Sequence, residues 1–257
     1  MWRFLAFCVA IAGFHLGPRF AAARDLSELA ASRVAGAYVS VERGSQSWAD
    51  QDEVIFDGLG ALDLAVAASV DEPGLGLGWV GVFQRSSIGG TYSDAVGGVS
   101  GLAASTGDGV VAHALALNAC FSWFSVSKPE EFVVSGSAYR RGEAATVFLR
   151  LAEIGGEDIF VLQGTPDGEL INDTATVLLR PDTSYGLFAL AVGDLTVHQP
   201  DTSESFAASF SLRLAPIPSP ATALTVGLGL SAAAARRVRK NRITPAPSPR
   251  SARTGAC

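Results

Sequence analysis

The chain has 257 residues and a formal charge of −6, but residues 25–215 hold all 25 acidic residues and only nine basic ones, a net −16. A body of that sign is repelled by nucleic acid and by anionic membrane surfaces, which excludes a nucleic-acid partner. The seven basic residues after Ala235 and three Arg near the start account for the difference.

Arg3 gives the N-terminus its positive charge, residues 4–14 form an apolar core, and Ala21-Ala22-Ala23 supplies the small residues at the −3 and −1 positions of a leader cleavage site. This order predicts a secretory signal over residues 1–23, cleaved after Ala23, with Ala21 and Ala23 as the cleavage residues. The core is too short for a comfortable transmembrane helix. Cys8 leaves with the leader and Cys257 lies at the far end, so Cys120 is the one cysteine of the body. An exported body without an internal disulfide must draw its stability from burial.

Residues 24–215 suit one large domain or two small ones. Their pattern is alternation broken by Gly, Pro, Asp and Ser. Residues 37–43 place Val39 and Val41 on one face, and a polar loop is expected over 44–52. Residues 62–70 read as a strand with Leu62, Leu64, Val66, Ala68 and Val70 facing one way. Asp71-Glu72-Pro73-Gly74 is a turn, and residues 77–85 form the next strand, carrying Trp79 and Phe83. The Gly, Ser and Asp content of residues 86–109 predicts a long irregular loop with a short strand inside it.

Residues 110–126 read as one or two strands. Val111, Leu115, Leu117, Phe121 and Trp123 put most of the bulk on odd positions, until Phe124 and Val126 shift it to even ones. Such a change of phase predicts a β-bulge. Residues 132–139, 146–151 and 159–163 follow at hairpin spacing, joined by Arg140-Arg141-Gly142 and Gly155-Gly156-Glu157-Asp158.

Leu179, Pro181, Thr183 and Tyr185 have the spacing L-x-P-x-T-x-Y, which is similar to the tyrosine corner of fibronectin-type and immunoglobulin-like sandwiches. The resemblance implies that the Tyr185 hydroxyl reaches back to the backbone just upstream. Residues 206–214 form the last strand, with Phe206, Ala208, Phe210, Leu212 and Leu214 inward. About ten short strands without an amphipathic helix predict an all-β domain over residues 24–215. Two antiparallel sheets in a β-sandwich, Ig-like or jelly-roll, fit best.

Behind the body, residues 215–235 carry no charge, a length that can cross a bilayer as one helix. Its large apolar residues are few, so it would insert weakly. Arg236, Arg237, Arg239, Lys240 and Arg242 follow and would stay cytoplasmic. Pro216, Pro218 and Pro220 keep the preceding segment extended and open to a protease. This order over residues 216–242 resembles the PEP-CTERM tail of exported bacterial proteins: Pro216-Ile217-Pro218 or Pro218-Ser219-Pro220, an apolar run, then the basic block. Ile217 or Ser219 stands where the family carries Glu, and a Pro/Arg/Ser-rich end, residues 243–257, follows the block. The resemblance implies processing by an exosortase-type transpeptidase, anchoring in a membrane beforehand, and a final place in the cell envelope or matrix, with an extracellular polysaccharide as a partner.

Chemical motifs are sparse. Ser125-Val126-Ser127-Lys128 matches S-x-x-K, but that motif needs a helix to bring Lys onto Ser. His113 and His198 are too few for a zinc cluster or a convincing triad. Asp50-Gln51-Asp52-Glu53 and Asp167-Gly168-Glu169 place carboxylates in polar loops without the EF-hand spacing. Gly74-Leu75-Gly76-Leu77-Gly78 lacks the helix of a phosphate cradle. No catalytic, cofactor or metal residue is assigned. The expected function is a non-enzymatic structural or adhesive protein. The alternatives are a secreted carbohydrate-active hydrolase or a calcium-dependent sugar-binding module on the same scaffold.

Overall fold

A computed structural model describes residues 26–89 and 92–217. The expected signal with Ala21 and Ala23, the expected sorting residues Pro218, Pro220, Arg236, Arg237, Arg239, Lys240 and Arg242, and residues 243–257 lie outside the described residues. Among the described residues no helix is long and apolar enough to cross a membrane.

The described chain is all-β. Its strands are β1 (Leu26–Arg43), β2 (Gln46–Asp57), β3 (Gly60–Glu72), β4 (Gly76–Ile88), β5 (Ser93–Ser105), β6 (Val110–Val126), β7 (Glu130–Arg141), β8 (Ala145–Glu153), β9 (Asp158–Gln163), β10 (Asp167–Leu179), β11 (Ser184–Val197) and β12 (Thr202–Pro216). Two antiparallel sheets result. Sheet A has the order β2-β1-β6-β11-β8-β9, and sheet B the order β10-β7-β12-β5-β4-β3. They face each other, with β6 over β4 and β5, and β11 over β5 and β12.

Seven consecutive strand pairs among the described residues pass from one sheet to the other. Of these, β11–β12 lies between β5–β6 and β7–β8, with β11 between β6 and β8 and β12 between β5 and β7. The centre of both sheets is thus closed by the last strands of the body. Turn chemistry fixes the local hairpins. Pro73 and Gly74 make a type II turn, with Gly74 at φ 80° and the Leu75 N–H bonded to the Glu72 carbonyl at 3.0 Å.

Strand boundaries depart from the sequence reading in three places. The polar loop expected over 44–52 is mostly β2, an edge strand whose polar residues face water. The loop expected over 86–109 is largely β5, thirteen residues long and central in its sheet. Its glycines are small because neighbours lie on them: a Cβ at Gly97 would meet the Asn118 side chain at 2.5 Å, and one at Gly101 the Phe206 ring at 2.5 Å. The bulge expected in β6 is absent from it, since β6 pairs with β11 in one unbroken register. The irregularity sits on the partner, between Glu28 and Ala30 of β1, opposite Phe124 and Trp123.

The apparent phase shift in β6 has a different cause. Its even positions face the other sheet throughout, from Val110 through Ala112, Ala114 and Ala116 to Phe124 and Val126. The odd, bulkier positions face outward. β6 is therefore small inside and large outside, which leaves a well-filled but thin core and an apolar exterior.

Candidate functional site

Among the described residues the space between the sheets is closely packed. The best cavity among the described residues is about 10 Å³, enough for about one water, and is lined by Ile88, Ser93, Cys120, Ser122, Leu187 and Leu212. Three of the buried polar side chains donate to backbone carbonyls. The buried Arg33 guanidinium donates to the carbonyls of Gly58 and Gly60 and to Ser86 Oγ, and lies 4.6 Å from the centre of the Phe56 ring. Asn118 Nδ2 donates to the carbonyls of Phe83 and Gly98, and Gln84 Nε2 to that of Ala119. Cys120 sits among these groups, and burial pushes its thiol up to about 12 against the weaker opposing pull of Arg33 and Gln84.

The outer faces of the sheets carry the remaining candidate groups. On β4 the odd residues point away from sheet A, while Val80, Val82 and Gln84 point toward it. Gly76 and Gly78 mark the inward side, because Val41 and Val39 of β1 press against them: a Cβ at Gly78 would fall 2.4 Å from Val39 Cγ1. In the Gly-Leu-Gly-Leu-Gly stretch, Gly74 serves the turn while Gly76 and Gly78 admit the facing strand. Trp79 is left 44% exposed and Phe83 49% exposed on the outer face of sheet B.

Trp79 stands opposite Leu102 and Ser69, and Phe83 opposite Gly98 and Ala65. Four residues of strand separate them, roughly 13 Å. The floor between is small, made of Ala67, Gly81 and Ser100 on adjacent strands. The Asp63–Arg85 ion pair at 2.8 Å closes one side. Toward β12 and β7 the face continues in hydroxyls, where Ser137 and Ser211 are bonded at 2.7 Å. A sheet face with two exposed aromatic rings and hydroxyls beside them can stack apolar ring faces and bond their polar rims.

The outer face of sheet A holds the one histidine–carboxylate pair among the described residues. His113 Nε2 lies 2.9 Å from Asp194 Oδ1, and the Tyr38 ring stands edge-on to the imidazole at 5.7 Å. His198 follows β11 and is exposed, outside this pair. Ser125 lies at the end of β6 and Lys128 in the exposed turn behind it, with no helix to join them. Asp50 to Glu53 lie along β2, and the Asp50 carboxylate accepts the Ser69 N–H at 2.9 Å. Asp167 and Glu169 belong to β10, at the other edge. Among the described residues no three His, Cys, Asp or Glu side chains gather in a metal-holding group.

Sequence reasoning placed Trp79 and Phe83 on a strand but did not assign their face. The inward glycines Gly78 and Gly76, one and three residues before Trp79, carry that information. No protein-family model matches the chain, and no curated protein matches it.

Proposed function

We propose that this is an exported, non-enzymatic protein of the cell envelope or matrix, whose β-sandwich body adheres to polysaccharide through the Trp79–Phe83 face. One observation carries the reading: two large aromatic rings, Trp79 and Phe83, are exposed side by side along one strand of a sheet face that also carries hydroxyls. The strongly acidic body favours a neutral polymer over an acidic one. Among sandwich types the Ig-like one is favoured by the Tyr185 corner. Export by residues 1–23 and sorting by the PEP-CTERM-like segment 216–242 agree with this role. In support, the segment would continue directly from β12, a strand bonded on both sides. Pull on the tail would load the centre of sheet B rather than an edge.

Affinity electrophoresis through gels holding neutral polysaccharides tests adhesion. The protein should be retarded by at least one of them, and Trp79→Ala with Phe83→Ala should run free while keeping the wild-type circular dichroism. Free migration of the wild type in every gel would sink the adhesive reading. Cell fractionation with sequencing of the mature C-terminus tests the sorting reading separately. Cytoplasmic chains with both Met1 and Cys257 present would sink that one.

A further inference from the structure

Sheet A carries a second apolar cluster on its outward side, separate from the core between the sheets. Val34, Leu117 and Ala119 are buried at its centre, with Phe121, Leu190 and Val192 half-buried around them. Strand register aligns this cluster across the sheet. Ile55, Val34, Ala119, Leu190 and Phe148 are successive neighbours on β2, β1, β6, β11 and β8. Toward one end Phe121, Trp123 and Phe188 form an aromatic trio with ring centres 5.6–6.3 Å apart. A sheet face meant for water alternates to polar residues there. This one places larger apolar residues outside than inside.

From strand spacing and rise, the five outward rows from Leu115 to Trp123 across four strands span a sheet footprint of roughly 600 Å², apolar but for Ser32, Thr146, Arg150 and Asp194 around its border. Its centre is shielded by half-buried Phe121, Leu190 and Val192, so the accessible apolar area is part of that footprint, and contiguous apolar patches of a few hundred Å² mark interaction sites. Two such footprints together span about 1,200 Å², the lower bound of a specific protein–protein interface.

We infer that this face binds the same face of a second copy of the chain, as an isologous dimer. Three observations select that occupant. The footprint matches what a dimer needs. The face's His113 is paired with Asp194, and its Arg150 with Asp158 through Nε at 2.6 Å, so a charged partner finds little to complement. One edge of each sheet is guarded by exposed carboxylates, Asp50, Asp52, Glu53 and Asp57 on β2 and Asp167, Glu169 and Asp173 on β10. These two edges repel one another, which favours contact through a face over contact through them. The acidic body also disfavours an anionic bilayer as the occupant. The inference stands on sheet A and is independent of the adhesive face on sheet B.

Like-charged bodies that join through an apolar patch should associate more tightly as salt rises, because screening weakens their repulsion. Hydroxyl-radical footprinting of the full-length wild type over a concentration series tests this without a variant. Phe121, Trp123 and Phe188 should lose labelling as concentration and salt increase, while Trp79 and Phe83 keep theirs. In sedimentation, Leu190→Glu should weaken the dimer by about tenfold or more, and Phe83→Ser should leave it intact. The inference fails if labelling of the trio is independent of concentration. Protection that arises only with phosphatidylglycerol vesicles, or association through the tail that leaves the trio fully labelled, would overturn it equally.

Discussion

The Tyr185 hydroxyl accepts the Arg180 N–H at 2.7 Å and faces the carbonyl of the same residue at 3.3 Å, to which it donates. Its ring stacks on Phe124 at 5.7 Å inside the core. One side chain thereby pins the crossing from β10 in sheet B to β11 in sheet A. Tyr185→Phe keeps the ring and removes the pin, leaving a backbone donor and acceptor without their partner. The expected loss is about 1–3 kcal/mol, read as a lower denaturation midpoint with an unchanged denaturant slope. A wild-type midpoint would show that the corner does not secure the crossing.

Glycine at the centre of the sheets is a second sensitive point. A Cβ at Gly193 of β11 would lie 1.9 Å from the Phe206 ring, which also covers Gly101. Phe206 is buried between these two strands, so its ring cannot withdraw without opening the core. Gly193→Ala should cost about 1–3 kcal/mol through overpacking. Gly36→Ala, on β1 with nothing within 4 Å of the added carbon, should be neutral or stabilising. Thermal melts of the two variants compare a crowded site with an open one. Equal melting temperatures would refute the packing account.

These positions show what was legible in the sequence and what was not. The Tyr185 corner was legible because its spacing is local and its hydrogen bond spans only five residues. The alternation of 62–70 and 206–214 was legible because one face there is polar. On β6 both faces are apolar, so period two locates the strand without saying which face is inside. Residue size then misleads, since the opposing sheet approaches closely over Ala112, Ala114 and Ala116. β5 was hidden for the reciprocal reason. Its glycines look like loop residues until Phe206, Phe210 and Phe83 are seen lying on them. The His113–Asp194 pair joins residues 81 positions apart and leaves no local trace.

Cys120 supplies a prediction in pH. In the unfolded chain its thiol ionises near 9, while burial raises it to about 12 in the folded protein. A group whose folded value is raised contributes its full stability below the unfolded value. Between pH 9 and 12 the unfolded state gives up a proton that the folded state keeps, so stability falls as pH rises through this window. Comparing denaturation midpoints of the wild type and Cys120→Ala at pH 8 and pH 10.5 isolates the contribution. The wild type should lose more between the two. At pH 8 the native thiol should also resist iodoacetamide, as peptide mapping would reveal. Parallel pH profiles, or prompt native alkylation of Cys120, would contradict its burial.

The last strand sets where the body can end. β12 pairs with β5 from Thr202 to Leu214 and with β7 from Ala207 to Pro216, so removing it splits sheet B into two parts. It also removes Phe206, Phe210, Leu212 and Leu214, all buried. At about 1.5–3 kcal/mol for each large side chain, their loss is on the order of 6–12 kcal/mol, comparable with the whole stability of a domain. A chain ended after Pro200 should give no cooperative melt. One ended after Ile217 should melt like the full-length protein, because no described strand extends past Pro216. The paired result also bears on sorting. If the shorter chain folds, β12 is dispensable, and force on the tail would not be borne by the centre of sheet B. If the longer chain fails to fold, residues beyond Ile217 belong to the body, and the proposed processing near Pro218 would unfold it.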